Sequence, residues 1–228
     1  MKKSLILLVL LAYAACIFSY SSQKSVSSMF KSHVRSIPKS IANKMQQYSW
    51  HKECPVTLSQ LAYVQVSYWG FDQKPHQGEL IVHKELAEEV VTIFKSLFQH
   101  RFPIHSMRLI EHFQGNDALS MAANNTSAFN CRPVIDRPGE FSQHSYGRAI
   151  DINPLLNPYI NGQNISPPEG NIYQNRHQFA PGKIVKDDFV FDLFIKHGWD
   201  WGGLWFDVQD YQHFEKRAHG EKRNPYGY

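Results

Sequence analysis

Apolar side chains recur with two different periods in the part of the chain that follows residue 58. Between Leu61 and Trp69, apolar and polar positions alternate with a period of two, which predicts a strand, and Gly78–His83 is predicted as its hairpin partner. In Lys84–Gln99 the apolar residues Leu86, Val90, Phe94, Leu97 and Phe98 recur at helical spacing. This spacing predicts an amphipathic helix.

Shorter patterns predict further elements on both sides of this core. They are a helix at Ile41–Trp50, a strand at Met107–Glu111, a helix at Asn116–Ala123, and central strands at Ser127–Arg132 and Arg148–Asn153 joined by a loop with Pro138 and Gly139. A last helix is predicted to start at Asp187 and to stop at Gly198, with Phe191, Phe194 and Ile195 facing inward. The proline-rich segment Asn157–Lys183 predicts a long loop, which we interpret as a flap beside a cleft.

The order of these elements favours one α+β domain. Short strands mixed with separate helices, without an internal repeat, predict a small antiparallel sheet flanked by helices rather than a parallel βαβ sheet. We assign this domain to residues 58–228, after a tether and short helix at 21–57. The composition is globular, since 43% of the 228 residues are hydrophobic and 19% are charged.

The charge of the chain argues against a nucleic-acid partner. The formal net charge is +4, and two of these charges, Lys2 and Lys3, lie at the extreme N-terminus. No basic run or ladder of basic and aromatic residues accompanies them. The remaining charge is too small to predict binding to a polyanion.

The N-terminus has the pattern of a secretory leader. Lys2 and Lys3 precede an apolar run at Leu5–Leu11 and small residues at Ala14 and Ala15, which predicts a signal peptide at 1–20 and export to the periplasm or outside the cell. An uncleaved anchor helix is the alternative, although the apolar run is short for a bilayer. Cys16 also resembles a lipidation site, which would tether the protein to the membrane through its N-terminus.

The cysteines agree with export. Without Cys16, Cys54 and Cys131 remain as a pair that could form a disulfide in an oxidising compartment. Two buried free thiols, or zinc ligation by Cys131, are the alternatives. We discount zinc ligation because another part of the chain already offers a complete set of nitrogen and oxygen ligands.

That ligand set comes from two short stretches far apart in the sequence, SQHSYGRAIDIN and DVQDYQHFE. Catalytic zinc usually has three protein ligands of histidine and carboxylate type and leaves one position to water. His144, Asp151 and His213 supply that number and type. Strand alternation places Asp151 on the face opposite Ile150, and His213 on the face opposite Phe214. The sequence therefore predicts a catalytic zinc site.

The same alternation places Glu215 beside His213. Glu215 could orient the imidazole of His213 from behind, or it could compete with Asp210 for the role of general base. Near this strand, Trp201 and Trp205 are predicted to line a substrate groove, and an aromatic core is the alternative. Ser142 either hydrogen-bonds near the metal or caps the turn before His144.

The stretches Ser142–Asp151 and Gly198–Glu215 resemble the two signatures of the zinc D-Ala-D-Ala carboxypeptidase and L-alanyl-D-glutamate endopeptidase family, whose fold is shared with the hedgehog signalling domain. The resemblance covers Leu58–Glu215 and includes Asn124–Arg132. It implies one Zn²⁺ held by His144, Asp151 and His213, with Asp210 as the general base. It also implies that Arg132 contacts the substrate or the developing oxyanion.

The family implies a substrate, the stem peptide of bacterial peptidoglycan, but leaves the cleaved bond open. The dipeptidase branch typically has Glu at the base position, whereas this chain has Asp210, as in the endopeptidase branch. We therefore expect either a D-Ala-D-Ala carboxypeptidase or an L-alanyl-D-glutamate endopeptidase. A non-catalytic zinc-containing module that binds the cell wall is the alternative of another class, and the presence of Asp210 argues against it.

Overall fold

The computed structural model describes residues 28–134 and 137–223, so the predicted leader at 1–20 and Cys16 lie outside the described residues. Within these ranges the chain forms four α-helices: α1 Lys39–Tyr48, α2 Ala87–Gln99, α3 Asp117–Ala122 and α4 Phe189–Lys196. The strands are β1 Ser32–Arg35, β2 Leu61–Trp69, β3 Pro75–His83, β4 Ser106–Met107, β5 Asn125–Thr126, β6 Pro133–Val134, β7 Arg137–Phe141, β8 Ala149–Asp151, β9 Tyr159–Asn161, β10 Asn164–Ser166, β11 Asp200–Trp201, β12 Gln209–Asp210 and β13 His213–Glu215.

The hairpin of β2 and β3 is the longest paired element. Its register runs from Leu61 opposite His83 to Trp69 opposite Pro75, and β1 adds to the free edge of β2 in the antiparallel sense. The predicted amphipathic helix is present, with a 3-10 turn at Lys84–Leu86 followed by α2, and it packs against this hairpin. The buried side of α2 packs its Ile93 and Phe94 into the main hydrophobic core. Burial of this apolar stripe holds the helix on the sheet.

A second sheet of three short strands lies in the order β11–β13–β8 and brings distant parts of the chain together. Its register places His213 opposite Asp151 and Phe214 opposite Ile150. Phe214 and Ile150 are fully buried in the main core. Because neighbouring residues of a strand point to opposite faces, His213 and Asp151 share the other face.

Helix α4 begins and ends close to the predicted positions. Asp188 is its N-cap and accepts a hydrogen bond from the Phe191 amide, while Gly198 takes a left-handed conformation with a φ of 80° after the helix. Phe191 and Phe194 are buried as expected. The expectation that Ile195 faces inward is wrong, because its side chain is 40% exposed.

The predicted central strand at Ser127–Arg132 does not form a ladder. Ser127 exchanges two backbone hydrogen bonds with Asp151, but the following amides donate to different parts of the chain: Phe129 to Ile81, and Cys131 to Ser49. A segment whose hydrogen bonds go to several partners is extended without being a strand. The predicted strand at Met107–Glu111 is likewise short, because β4 ends at Met107 and a 3-10 turn covers Ile110–Phe113.

Two predicted loops contain regular structure. Pro138 and Gly139 lie in β7, which forms a hairpin with β6. The segment Asn157–Lys183 contains β9, β10 and a 3-10 turn at Pro168–Tyr173. β9 pairs with both β10 and β12. The sequence did not predict these strands, because each is only two to five residues long and lies among residues typical of turns.

The fold is α+β, as predicted, but the antiparallel pairing is divided among several small sheets instead of one. Cys54 and Cys131 form a disulfide with an S–S distance of 2.11 Å. The cross-link joins residues 77 positions apart, and a loop of that length corresponds to about 4.5 kcal/mol in a chain-entropy treatment. Along the part of the chain that the structure describes, none of the helices is both long and apolar enough to cross a membrane.

Candidate metal centre

His144 lies in a tight turn that the local sequence requires. The turn is a 3-10 helix at Gln143–Tyr146, and the Ser142 hydroxyl caps it by accepting a hydrogen bond from the His144 amide at 3.4 Å. Gly147 ends it in the left-handed region with a φ of 66°. A Cβ atom at Gly147 would lie 2.6 Å from the backbone nitrogen of His83, so a glycine is needed both for the conformation and for the contact.

The turn and the β8–β13 pair bring His144, Asp151 and His213 together. His144 Nε2 lies 3.1 Å from His213 Nδ1 and 3.1 Å from Asp151 Oδ2, and His213 Nδ1 lies 3.0 Å from Asp151 Oδ1. All three residues are buried. The structure thus joins, in one cluster, the three residues predicted as ligands.

The donor set fits a zinc ion. Ligand atoms about 2.0–2.1 Å from a tetrahedral zinc lie about 3.4 Å from one another, so the three atoms would need to part by only a few tenths of an ångström. Two imidazole nitrogens and one carboxylate are also the ligand types of catalytic zinc. The cluster therefore has the chemistry and nearly the spacing that such an ion needs.

The other nitrogen of each imidazole is already engaged. His144 Nδ1 hydrogen-bonds to the backbone oxygen of Ala128, and His213 Nε2 lies 3.1 Å from Glu215 Oε2. Glu215 is held in turn by Arg217, whose Nε lies 2.7 Å from Oε1. These contacts leave His144 Nε2 and His213 Nδ1 turned toward the shared space. Metal-binding histidines are typically oriented by such contacts.

The electrostatics of the cluster favour positive charge between the ligand atoms. Burial alone would lower the pKa of His213, but hydrogen bonds to Asp151 and Glu215 outweigh burial and raise this pKa to about 10. Burial would raise the pKa of Asp151, yet the neighbouring imidazoles hold it well below its usual range. The pKa of Glu215 is also lowered, to about 2, because its contacts with His213 and Arg217 outweigh burial. The carboxylates of Asp151 and Glu215 therefore favour a positive charge beside them.

Asp210 lies beside the cluster without joining it. It ends β12, where it pairs with Tyr159 of β9, and a Cβ atom on Gly202 would come within 2.6 Å of its backbone oxygen. Its Oδ1 is buried and has no hydrogen-bond partner among the described residues. Burial raises the pKa of Asp210 to about 6. A carboxylate with a free oxygen and a pKa near neutrality is suited to accept and return a proton.

These groups open into one cavity of about 350 Å³. Its wall includes Asp117, Arg132, Ser142, His144, Asp151, Tyr159, Trp205, Asp207, Asp210, His213, Glu215, Arg217 and Arg223. The cavity wall is formed by the β6–β7 hairpin, by β8 and β13, and by β9, which belongs to the segment predicted as a flap. That segment does lie beside the cleft.

Arg132 enters the cavity already paired. Its Nη2 lies 2.9 Å from Asp117 Oδ2, and both side chains are about one-quarter to one-third exposed. Its backbone is fixed by the fully buried Ser145, whose hydroxyl accepts a hydrogen bond from the Arg132 amide at 2.9 Å and donates one to the Arg132 carbonyl at 2.8 Å. Arg132 Nε is buried without a partner among the described residues.

The two tryptophans predicted to line a groove differ. Trp205 lies on the cavity wall with its ring centroid 5.2 Å from that of His213. The expectation that Trp201 faces the cleft is wrong. Trp201 is 3% exposed, and its indole donates to the Tyr211 carbonyl, because β11 turns this side chain into the core beside Phe214.

Several cavity residues were not found from the sequence. Asp117, Arg217 and Arg223 line the wall, and Arg223 places its guanidinium carbon 3.6 Å above the Trp205 ring. No spacing in the chain connects Asp117 with Arg132 or Arg223 with Trp205. A general signal was present only for Arg217, which follows Glu215 with the period of a strand.

Comparison with known proteins supports a peptidase. Residues 136–216 match the family model described as D-alanyl-D-alanine carboxypeptidase. This range covers well under half of the chain; it includes His144, Asp151, Asp210 and His213, whereas Arg132 lies before it. Peptidases of this family are typically metal-dependent. No curated protein and no solved structure matches the chain.

Proposed function

We propose that this chain is a zinc peptidase that hydrolyses a peptide bond in the stem peptides of bacterial peptidoglycan, with a hedgehog/DD-peptidase-like fold. The observation that carries the proposal is the buried His144, Asp151 and His213 cluster with the unpartnered oxygen of Asp210 in the same cavity. The match of residues 136–216 to a D-alanyl-D-alanine carboxypeptidase family supports the reaction class.

The metal would be held by His144 Nε2, His213 Nδ1 and the Asp151 carboxylate. When bound, zinc lowers the pKa of a coordinated water to about 7 and polarises the substrate carbonyl. Ala128 and Glu215 keep the two imidazoles in the orientation that presents these nitrogens. Among the residues that the structure describes, three protein ligands converge here, and three ligands leave room for water and substrate, as in catalytic sites.

Asp210 is assigned as the general base. Its free Oδ1 accepts a proton from the attacking water and then delivers it to the departing amine. Its raised pKa, about 6, places both transfers within reach at neutral pH. Glu215 is the weaker candidate for this role because both of its oxygens are already engaged by His213 and Arg217.

Arg132 is assigned to negative charge on the substrate. Stabilising the carbonyl oxygen as it becomes an oxyanion is worth about 3–4 kcal/mol for comparable donors. The pairing with Asp117 fixes the guanidinium, and its buried Nε has no hydrogen-bond partner within the described ranges. Loss of this role would lower kcat, whereas loss of a grip on a free carboxylate would mainly raise KM.

We propose two reactions for this site and place the first before the second. A D-alanyl-D-alanine carboxypeptidase-like reaction follows from the family match. An L-alanyl-D-glutamate endopeptidase reaction is favoured by a different observation: each arginine that the described residues contribute to the cavity wall is paired with a carboxylate, namely Arg132 with Asp117, Arg217 with Glu215 and Arg223 with Asp207. Paired guanidiniums bind a terminal carboxylate less strongly than free ones, whereas an internal peptide bond requires no such contact.

Export to the compartment that contains peptidoglycan, by the leader at 1–20, is part of the proposal. The Cys54–Cys131 disulfide supports it, because such bonds persist mainly in oxidising compartments. Retention at the membrane through Cys16 is a further proposal that rests on the sequence alone.

Digestion of purified muropeptides tests the function and separates the two substrates. We expect chelator treatment to abolish cleavage and added zinc to restore it. A mass loss of one terminal alanine identifies the carboxypeptidase, whereas release of a peptide with a new N-terminal glutamate identifies the endopeptidase. Zinc binding without cleavage of any stem peptide would instead favour the non-catalytic wall-binding module.

A further inference from the structure

We propose that His51, Cys54 and Cys131 form a second metal site, which takes a thiophilic divalent cation of the zinc class when a dithiol reduces the Cys54–Cys131 disulfide. The ligand atoms of these three residues lie within 4.8 Å of one another. The cluster contains sulfur, unlike the His144, Asp151 and His213 cluster, and contributes no residue to the cavity described above. The proposal does not depend on the peptidase function.

The sequence spacing of the cluster suits zinc. His51 and Cys54 are separated by two residues, the separation found in many pairs of zinc ligands, and Cys131 completes the set from a distant segment. Two thiolates and one imidazole leave a fourth position to water or an external ligand. This ligand set is softer than two imidazoles and a carboxylate, so it favours zinc-like cations over hard ones.

The imidazole of His51 is oriented toward the sulfurs. Its Nδ1 lies 2.9 Å from Glu53 Oε2, and its Nε2 lies 3.5 Å from Cys131 Sγ. A tetrahedral zinc with these ligand types places the nitrogen and sulfur about 3.6 Å apart. A carboxylate behind the imidazole is the usual arrangement at metal-binding histidines. The nitrogen is therefore nearly in position in the oxidised protein.

Backbone hydrogen bonds hold the three residues together in addition to the disulfide. The Cys131 amide donates to the Ser49 carbonyl at 3.0 Å, and the Cys54 amide donates to the His51 carbonyl at 3.1 Å. The Trp50 indole donates to the Val56 carbonyl at 2.8 Å across the same turn. The two cysteine Cα atoms are 6.0 Å apart. Reduction therefore leaves the thiols as neighbours, and a cation replaces the covalent cross-link between them.

Access to the site is open from solvent. The His51 side chain is 51% exposed and Cys54 is half-buried, whereas Cys131 is buried beneath them. The chemistry has two balanced steps. The dithiol transfers two electrons and two protons to the disulfide and becomes a cyclic disulfide itself. The cation then displaces the two thiol protons, which pass to water.

Cobalt(II) is the probe that distinguishes this site from the peptidase centre. Full-length protein is reduced with a dithiol. The dithiol is then removed under anaerobic conditions, and the protein is titrated with cobalt(II). We expect an intense sulfur-to-cobalt absorption band in the near ultraviolet for reduced protein and none for oxidised protein. Cobalt at His144, Asp151 and His213 gives no such band, because that site has no sulfur. Failure of the peptidase proposal therefore leaves this result unaffected.

Two variants test the ligand assignment. His51→Ala is expected to weaken cobalt binding, followed by the sulfur band, about 10-fold or more, and Glu53→Gln to weaken it less. His112→Ala, which changes an exposed histidine elsewhere, is the matched control and is expected to bind like the unmodified protein. The proposal is overturned by a folded reduced protein without the band, by a band that His51→Ala does not weaken, or by loss of the tryptophan circular dichroism bands on reduction, since the site requires the folded chain.

Discussion

The β2–β3 hairpin has nine residues in each strand and carries α2 on one face, whereas β8 and β13, which carry two of the candidate metal ligands, have three residues each. The interior of the hairpin region is mostly apolar. The interior of the cleft contains charged and polar groups, including His144, Asp151, His213 and Glu215, all buried. Apolar burial stabilises the first region, whereas the buried charges in the second depend on ion pairs and hydrogen bonds, including those to Ala128 and Arg217.

This difference indicates that the β2–β3 hairpin and α2, the scaffold, determine stability, whereas the cleft determines activity. A substitution in the scaffold should change the free energy of unfolding and leave turnover per folded molecule unchanged. A substitution in the cleft should do the reverse, since catalytic sites commonly retain groups that do not favour folding. The predictions below test that division, from the largest effect to the smallest.

Asp210→Asn is expected to lower kcat about 10²–10⁴-fold on stem peptide, because the amide cannot accept the proton of the attacking water. Zinc content should stay at one per chain. Because burial raises the pKa of Asp210, removing the charge should leave the free energy of unfolding equal or higher. Asp192→Asn, the same change on the exposed face of α4, is the control. Unmodified turnover by Asp210→Asn would refute the base assignment.

The pH profile gives a second reading of the same group. Asp210 must be unprotonated to act as a base, and its pKa is about 6. Activity of the unmodified protein should therefore fall about tenfold per pH unit well below 6. Residual activity of Asp210→Asn should lack this limb. If the limb persists in the variant, another group titrates.

Ile93→Ala is expected to lower the free energy of unfolding by about 2–5 kcal/mol, because Ile93 is fully buried in α2 and its loss leaves a cavity. Turnover per folded molecule should not change. Ile195→Ala is the matched control, since Ile195 is 40% exposed, and it should change stability by about 0.5 kcal/mol or less. Urea denaturation measures both. Equal losses would show that α4 packs as the sequence had suggested.

Glu215→Gln is expected to weaken zinc binding about 10–100-fold, because the charge that supports the His213 imidazole is lost while a hydrogen-bond acceptor remains. A competition assay with a chromogenic chelator measures the change in zinc affinity. Glu169→Gln, on an exposed residue, should bind zinc like the unmodified protein. An unchanged zinc affinity in Glu215→Gln would show that Glu215 does not contribute to metal binding.

The smallest effect is expected at Glu111, the buried carboxylate outside the cleft that hydrogen-bonds to Ser49. Burial raises the pKa of Glu111, so the folded state binds a proton more tightly than the unfolded state. The free energy of unfolding should therefore decrease as pH rises through the usual glutamate range and level off above the raised pKa. Glu111→Gln should remove this pH-dependent component, as urea denaturation across that pH range would show.

Sequence patterns were most reliable where the chain is regular. The β2–β3 hairpin and α2 have long apolar periods, so their positions were predicted closely. Ser127–Arg132 was predicted as a strand because its composition suits one, but its amides donate to separate partners such as Ile81 and Ser49. Trp201 was placed in the cleft because an aromatic next to glycines suits either a groove or a core. Local composition does not distinguish these outcomes.

Residue types and spacing alone determined which side chains were candidates for metal chemistry, because two histidines and an aspartate with suitable flanking residues are recognisable before folding. Tertiary structure alone decided which of their atoms meet. The opposition of His213 and Asp151 depends on the β8–β13 register, and the contacts of Asp117 with Arg132 and of Arg223 with Trp205 join residues from different elements. Distances and burial arise from packing, and packing is a property of the whole fold rather than of any local pattern.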